Sequence, residues 1–186
     1  GEANKNSTLS LKYKITNNSS SQKEGKLFLM LRSNQVNPHY QWLNDPGGAG
    51  KINSLIEKDE KIYVNDDKVI IPLEKFNSFS AITFDDGNIV ELIKENKILN
   101  NKAVIDDHNL ASGLIEYNFN LKPGEDKTIY FAVPFYGEAS LKESITKEVI
   151  ETKRDETANF WKSEVDHIKF NLPESADRII NAYKSN

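Results

Sequence analysis

The sequence predicts a mainly β protein, an antiparallel β-sandwich followed by a C-terminal linker helix. Three observations predict it. Short apolar runs of period two recur between Leu9 and Phe135. Clusters of Gly, Pro, Asn and Asp punctuate them. Residues 141–165 then contain neither Gly nor Pro and carry apolar residues at helical spacing. Strands first and a helix afterwards is the order of a sandwich with a helix packed on it or leading away from it. The expected domains are a sandwich over 1–137 and, over 138–186, a helical linker, a short extended segment and the start of a following domain.

Leu9, Leu11, Tyr13 and Ile15 alternate with Ser10, Lys12, Lys14 and Thr16, the pattern of a strand with one wet face. After the polar cluster 17–25 (NNSSSQKEG), Leu27 through Leu31 are apolar without a break, which predicts a strand covered on both faces. These two are expected to pair as a hairpin, the second strand central in its sheet. Residues 37–51 (NPHYQWLNDPGGAGK) predict a long structured loop or a broken strand. Strands 52–56, 62–64 and 69–71 follow, the last two joined tightly through Asn65, Asp66, Asp67 and Lys68. Phe79, Ile82 and Phe84 lead into the turn Asp85, Asp86, Gly87, Asn88, after which 89–92 is expected to return as a strand. Residues 93–107 fit a short helix or a loop.

The clearest hairpin spans 114–135, with Ile115, Tyr117, Phe119 and Leu121 alternating outward and Ile129, Phe131, Val133 and Phe135 on the return. Its large side chains are expected in the core. In 141–165 the helical stripe is Leu141, Ile145, Val149, Thr152 and Phe160, flanked by Ile150 and Trp161, with room for a bend at 153–156. Ile168, Phe170 and Leu172 alternate, Pro173 interrupts, and Ser175 is the expected N-cap of a last helix with Asp177 near its positive end. Ile179, Ile180, Ala182 and Tyr183 give that helix an apolar face that needs a partner.

The 186 residues allow one core or at most two small ones. Apolar residues at 38% and charged residues at 28% describe a globular chain. A net charge of −4, with lysines interleaved among acids, leaves no basic face for phosphates, so no nucleic-acid partner is expected. No run approaches the roughly 18 apolar residues of a membrane span. Cysteine is absent, which excludes disulfides and thiolate metal sites. Gly1 in place of Met fits either a processed or a recombinant start, and the polar residues 2–7 suit the stretch that follows a removed export signal.

Two stretches bear on binding. His39, Tyr40, Gln41 and Trp42 stand beside Asn44, Asp45 and three glycines. Flat aromatics next to amide and carboxylate groups are what sugar recognition uses, with Trp42 as platform and Tyr40 and Asp45 beside it. The stronger reading of the same residues is a tryptophan that plugs the core or a domain interface, because spacing places no second stacking ring. Trp161, Ile179, Ile180 and Tyr183 are interface candidates, or else they fold back onto the sandwich.

No catalytic residue, metal site or cofactor is assigned. Asp106, Asp107, His108 and Asn109 lack the alternate spacing of a calcium loop and fit a solvated turn better, as do 85–88. His39, His108 and His167 fall in no metal-binding pattern, and nucleophile and phosphate-loop motifs are missing.

Three stretches, 41–52 (QWLNDPGGAGKI), 106–135 (DDHNLASGLIEYNFNLKPGEDKTIYFAVPF) and 160–186 (FWKSEVDHIKFNLPESADRIINAYKSN), together resemble the region that precedes the (α/α)6 barrel in bacterial six-hairpin glycosidase-like proteins. The resemblance implies a non-catalytic N-terminal supersandwich. It would be joined by a helical linker to a barrel of twelve helices that carries the catalytic acids and degrades carbohydrate. The implied partner is the chain's own C-terminal barrel, of which only the first helix, from Ser175, lies in this sequence. The implied location is exported, periplasmic or extracellular. Two other readings stand beside it: an independent carbohydrate-binding module using Trp42 and Tyr40, and a structural or protein-binding sandwich.

Overall fold

The structure is a computed structural model that describes residues 7–35, 49–137, 144–166 and 172–184. The chain divides into two compact units, Gly1–Ser144 and Ile145–Asn186. The first is an antiparallel β-sandwich. Its strands are β1 (Thr8–Thr16), β2 (Lys23–Arg32), β3 (Asn34–Gln35), β4 (Ala49–Gly50), β5 (Ser54–Lys58), β6 (Lys61–Val64), β7 (Lys68–Pro72), β8 (Ser78–Ile82), β9 (Ala103–Ile105), β10 (Ser112–Leu121) and β11 (Asp126–Pro134). One sheet has the order β1-β11-β7-β6-β5-β9, the other β2-β10-β8, and β3 pairs with β4 alone.

The core lies between the two sheets. Leu55, Ile62, Ile129 and Phe131 from the larger sheet meet Phe79, Ala81, Ile115 and Tyr117 from the smaller one, with Leu27, Leu29 and Leu31 of β2 packed against them. Alternate residues of β10 face inward, and each such buried apolar side chain contributes roughly 1.5–3 kcal/mol. Gly113 sits in this layer because a Cβ there would lie 3.0 Å from Leu55 Cδ1 and 3.2 Å from Phe79 Cε2.

The β5–β6 connection is a two-residue turn with Asp59 and Glu60 both at positive φ, 53° and 60°, the conformation that matches the twist of paired strands. The tight hairpin expected over 62–71 is present as β6 and β7, with Val64 opposite Lys68. Asn65 starts its turn at φ 54° and its side chain holds the neighbouring segment by accepting from Asn53 N (2.8 Å) and donating to Lys51 O (3.1 Å).

Two expected hairpins do not form. β10 pairs with β2 and β8, and β11 pairs with β1 and β7, so the 122–125 connection crosses from one sheet to the other. The 17–22 connection does the same between β1 and β2, and β2 is an edge strand rather than a central one. Alternation sets which face a side chain takes, not which strand lies beside it. Loop length did not decide either: four extended residues span up to ~13 Å, which reaches a neighbouring strand at ~4.8 Å or a facing sheet at ~10 Å.

Both corners are stitched by Asn17, which is 5% exposed. Its Nδ2 donates to Leu121 O (2.9 Å) and Ser21 O (2.8 Å), and its Oδ1 accepts from Ser19 N (3.0 Å) and Ser19 Oγ (2.7 Å). Its backbone completes the join, with Asn17 N donating to Glu125 O (3.0 Å) and Gly124 N donating to Asn17 O (2.8 Å). A third corner, 73–77, is fixed through Glu74. The Tyr117 hydroxyl donates to the Glu74 carbonyl (3.1 Å), and Tyr130 N donates to Glu74 Oε2 (2.6 Å).

The strand expected over 89–92 is instead α1 (Ile89–Lys94). Asn88 caps it, its Oδ1 accepting from Val90 N at 2.9 Å, and Ile89, Leu92 and Ile93 fall on one helical face. That face covers Ile82 and Leu114 on the outer side of the smaller sheet. Four apolar residues in five, broken by Glu91, fit either period, and the cap decided between them.

In the second unit, α2 (Lys147–Asp166) runs unbroken through 153–156. Thr146 opens it by accepting from Val149 N through its hydroxyl (3.3 Å) and from Ile150 N through its carbonyl (3.0 Å). Of the expected stripe, Leu141 lies outside the described residues, Ile145 and Val149 are half-buried, and Thr152 and Phe160 are exposed; the buried residue of α2 is the flanking Ile150. Lys153 pairs with Glu156 (2.8 Å) and Arg154 with Glu151 (2.9 Å) along its surface. A 3-10 turn, Glu174–Ala176, precedes α3 (Asp177–Lys184), so Ser175 lies inside that turn rather than at the cap.

Two measurements test these joins. Asn17→Ala is expected to destabilise the chain by about 2 kcal/mol in urea unfolding, because it leaves Leu121 O and Ser21 O without their donor. Asn17→Asp is expected to do no better at neutral pH, since it keeps the acceptor but lacks the donor. Burial first, and the Glu74 charge second, push the Tyr117 phenol up. Its contribution is therefore intact below the unfolded pKa of about 10 and falls as pH rises above it. Unfolding of Tyr117→Phe is expected to lose part of that alkaline slope; an unchanged slope from pH 8 to 11 contradicts the assignment.

Candidate functional site

Tyr40, Trp42 and Asp45 lie outside the described residues; the described strands that precede and follow them in the chain are β3 and β4. Of the interface candidates, Trp161 is 61% exposed, Ile179 71% and Tyr183 63%, and Ile180 is half-buried. Phe160 and Trp161 stack edge to face on α2, ring centres 5.4 Å apart. Within this second unit, Lys184 Nζ lies 3.5 Å from Asp166 Oδ1, joining the end of α3 to the end of α2.

Both acidic clusters are turns in which one aspartate, Asp106 in the first and Asp86 in the second, uses a carboxylate oxygen to hold the backbone. Asp106 is buried, not solvated as expected: its Oδ2 accepts from Leu110 N (2.6 Å), and its backbone amide donates to Asn53 O (2.7 Å). Asp86 Oδ2 accepts from Thr83 N (2.8 Å) and Thr83 Oγ1 (2.9 Å), which shapes the entrance to α1. His108 Nε2 stands 3.6 Å from Asp85 Oδ2 on the surface, its ring 5.4 Å from that of Phe84. Among the described residues no three His, Asp or Glu side chains group as metal ligands, and no helix is long and apolar enough to cross a membrane.

A cleft of about 360 Å³ opens on the outer side of the smaller sheet. Arg32 and Ser112, direct cross-strand partners, line it together with Ser33, Phe84, Asn88 and Leu110. α1 covers the sheet beside it, over Ile82 and Leu114. These residues come from the end of β2 and the residue after it, the β8–α1 turn, and the stretch from Leu110 into β10, so nothing in their spacing along the chain announced them. The one sequence signal was the 85–88 turn, read as a hairpin.

The fold defines the protein as a mainly β, antiparallel sandwich followed by a C-terminal helix. Comparison with known proteins finds no matching protein family, no matching curated protein and no matching solved structure.

The exposure of the second unit has a direct consequence. Trp161→Ala and Tyr183→Ala are each expected to change the unfolding free energy by less than about 0.5 kcal/mol, as surface truncations do. Denaturation of the two variants beside the parent chain checks this, and a loss above about 2 kcal/mol places either side chain in a core.

Proposed function

We propose that the chain is the non-catalytic N-terminal β-sandwich of a larger, exported glycoside hydrolase-like protein, and that it braces an (α/α)6 catalytic barrel in carbohydrate degradation. The observation that carries the reading is the character of the second unit. A 20-residue helix with charge pairs along it is the kind that bridges domains. It is followed by a short helix whose Ile179 and Tyr183 stand in solvent. Apolar side chains arranged on one helical face gain free energy only when a neighbour covers them. A barrel docking on α3 provides that neighbour, and the sandwich with its stitched corners provides the rigid base.

The resemblance of residues 41–52, 106–135 and 160–186 to the region before such barrels supplies the choice of partner. Export to the periplasm or beyond belongs to the same reading.

The coding sequence downstream of Asn186 tests it. Several hundred codons with paired-helix periodicity are expected, and the purified 186-residue chain is expected to hydrolyse no glycoside. A stop codon after Asn186, or turnover by the isolated chain, overturns the proposal.

A further inference from the structure

The Arg32 guanidinium lies exposed at the cleft on the smaller sheet, and it makes no ion pair or hydrogen bond with a described residue. This is unusual company for a cation in a chain with 28 acids and a net charge of −4. No described carboxylate lines the cleft. Asp86 is turned to Thr83, and Asp85 stands by His108.

Around Arg32 the lining is mixed in a definite way. Asn88 commits its carbonyl oxygen to Val90 N, which leaves its amide group as a donor. Ser33 Oγ donates to Asn109 O (3.2 Å) and keeps its acceptor sites, and Ser112 lies directly across from Arg32. Phe84 is 55% exposed and Leu110 is partly so, giving an apolar flank beside the polar groups.

We propose that this cleft is a binding subsite for a hexuronate, with Arg32 taking the sugar carboxylate and the Phe84 ring taking the apolar face of the pyranose. A single planar guanidinium matches a carboxylate two bonds at a time, whereas a phosphate dianion calls for a second cation, and none stands among the described lining residues. An apolar ring face beside hydroxyl and amide groups suits a pyranose, which presents both kinds of surface. The subsite rests on the carbohydrate reading for the identity of the ring and not for the anion.

The test is titration of the whole chain with oligogalacturonate and oligoglucuronate, and with a neutral gluco-oligosaccharide of equal length, followed by amide shifts in NMR spectra. Saturable uronate binding is expected, with shifts at Arg32, Asn88 and Ser112. Arg32→Gln is expected to weaken it on the order of ten-fold or more, as loss of a charge-assisted pair does. Phe84→Ala is expected to weaken it too, and added salt to weaken it in the parent chain. Both side chains are exposed, so unaltered spectra elsewhere verify the fold of each variant.

Uronate binding that Arg32→Gln leaves intact overturns the assignment of the cleft, as does absence of uronate binding. Neutral sugar bound as tightly as uronate removes the acidic class while leaving a sugar site. None of these results depends on the coding sequence downstream of Asn186, so failure here and failure of the barrel reading are told apart.

Discussion

Asn17 holds together two of the corners at which the chain leaves one sheet for the other, and the sandwich depends on that join. A corner loop carries backbone groups that no strand satisfies, and burying them unpaired costs free energy. Asn17 meets this demand for both corners at once, through its amide, its carbonyl oxygen and its own backbone. With the corners joined, Thr16 faces Asp126 in one sheet and Leu121 faces Lys23 in the other. The two long ladders then run from a common origin, and each inward side chain meets the opposite sheet.

The same logic explains the third corner. Glu74 reaches β11 with its carboxylate and β10 with its carbonyl, so the segment between β7 and β8 is bound to both sheets. Tyr117 can be fully buried only because its hydroxyl has that acceptor. Fixing three crossings leaves the smaller sheet with one face in the core and one outside. α1 covers part of the outer face, and the uncovered remainder becomes the cleft over Arg32 and Ser112.

The second unit obeys a different rule. α2 has one buried residue, Ile150, and a surface of paired charges, so its helical form rests on local backbone bonds, its Thr146 cap and side-chain pairs. Glu148 is tied into that first turn, its carboxyl held below the usual range by bonds to its own amide and to the Thr146 side chain. Such a helix keeps its shape without a core, which is what a connector between domains requires.

The sequence by itself determined most strand positions, though not β9 or the helix at 89–94, together with the inward placing of Ile115, Tyr117, Ile129 and Phe131, the β6–β7 hairpin and the change to helix after the sandwich; Phe135, expected inside with them, is exposed. The features so determined are periodicities and turn chemistry that act over short stretches of chain. Tertiary structure alone decided that the 17–22 and 122–125 loops cross between sheets, that 89–94 is a capped helix, and that Arg32, Phe84 and Ser112 share a cleft. Local pattern specifies which side of a strand is greasy; which strand lies beside it is set by how buried backbone groups such as Leu121 O find donors more than a hundred residues away.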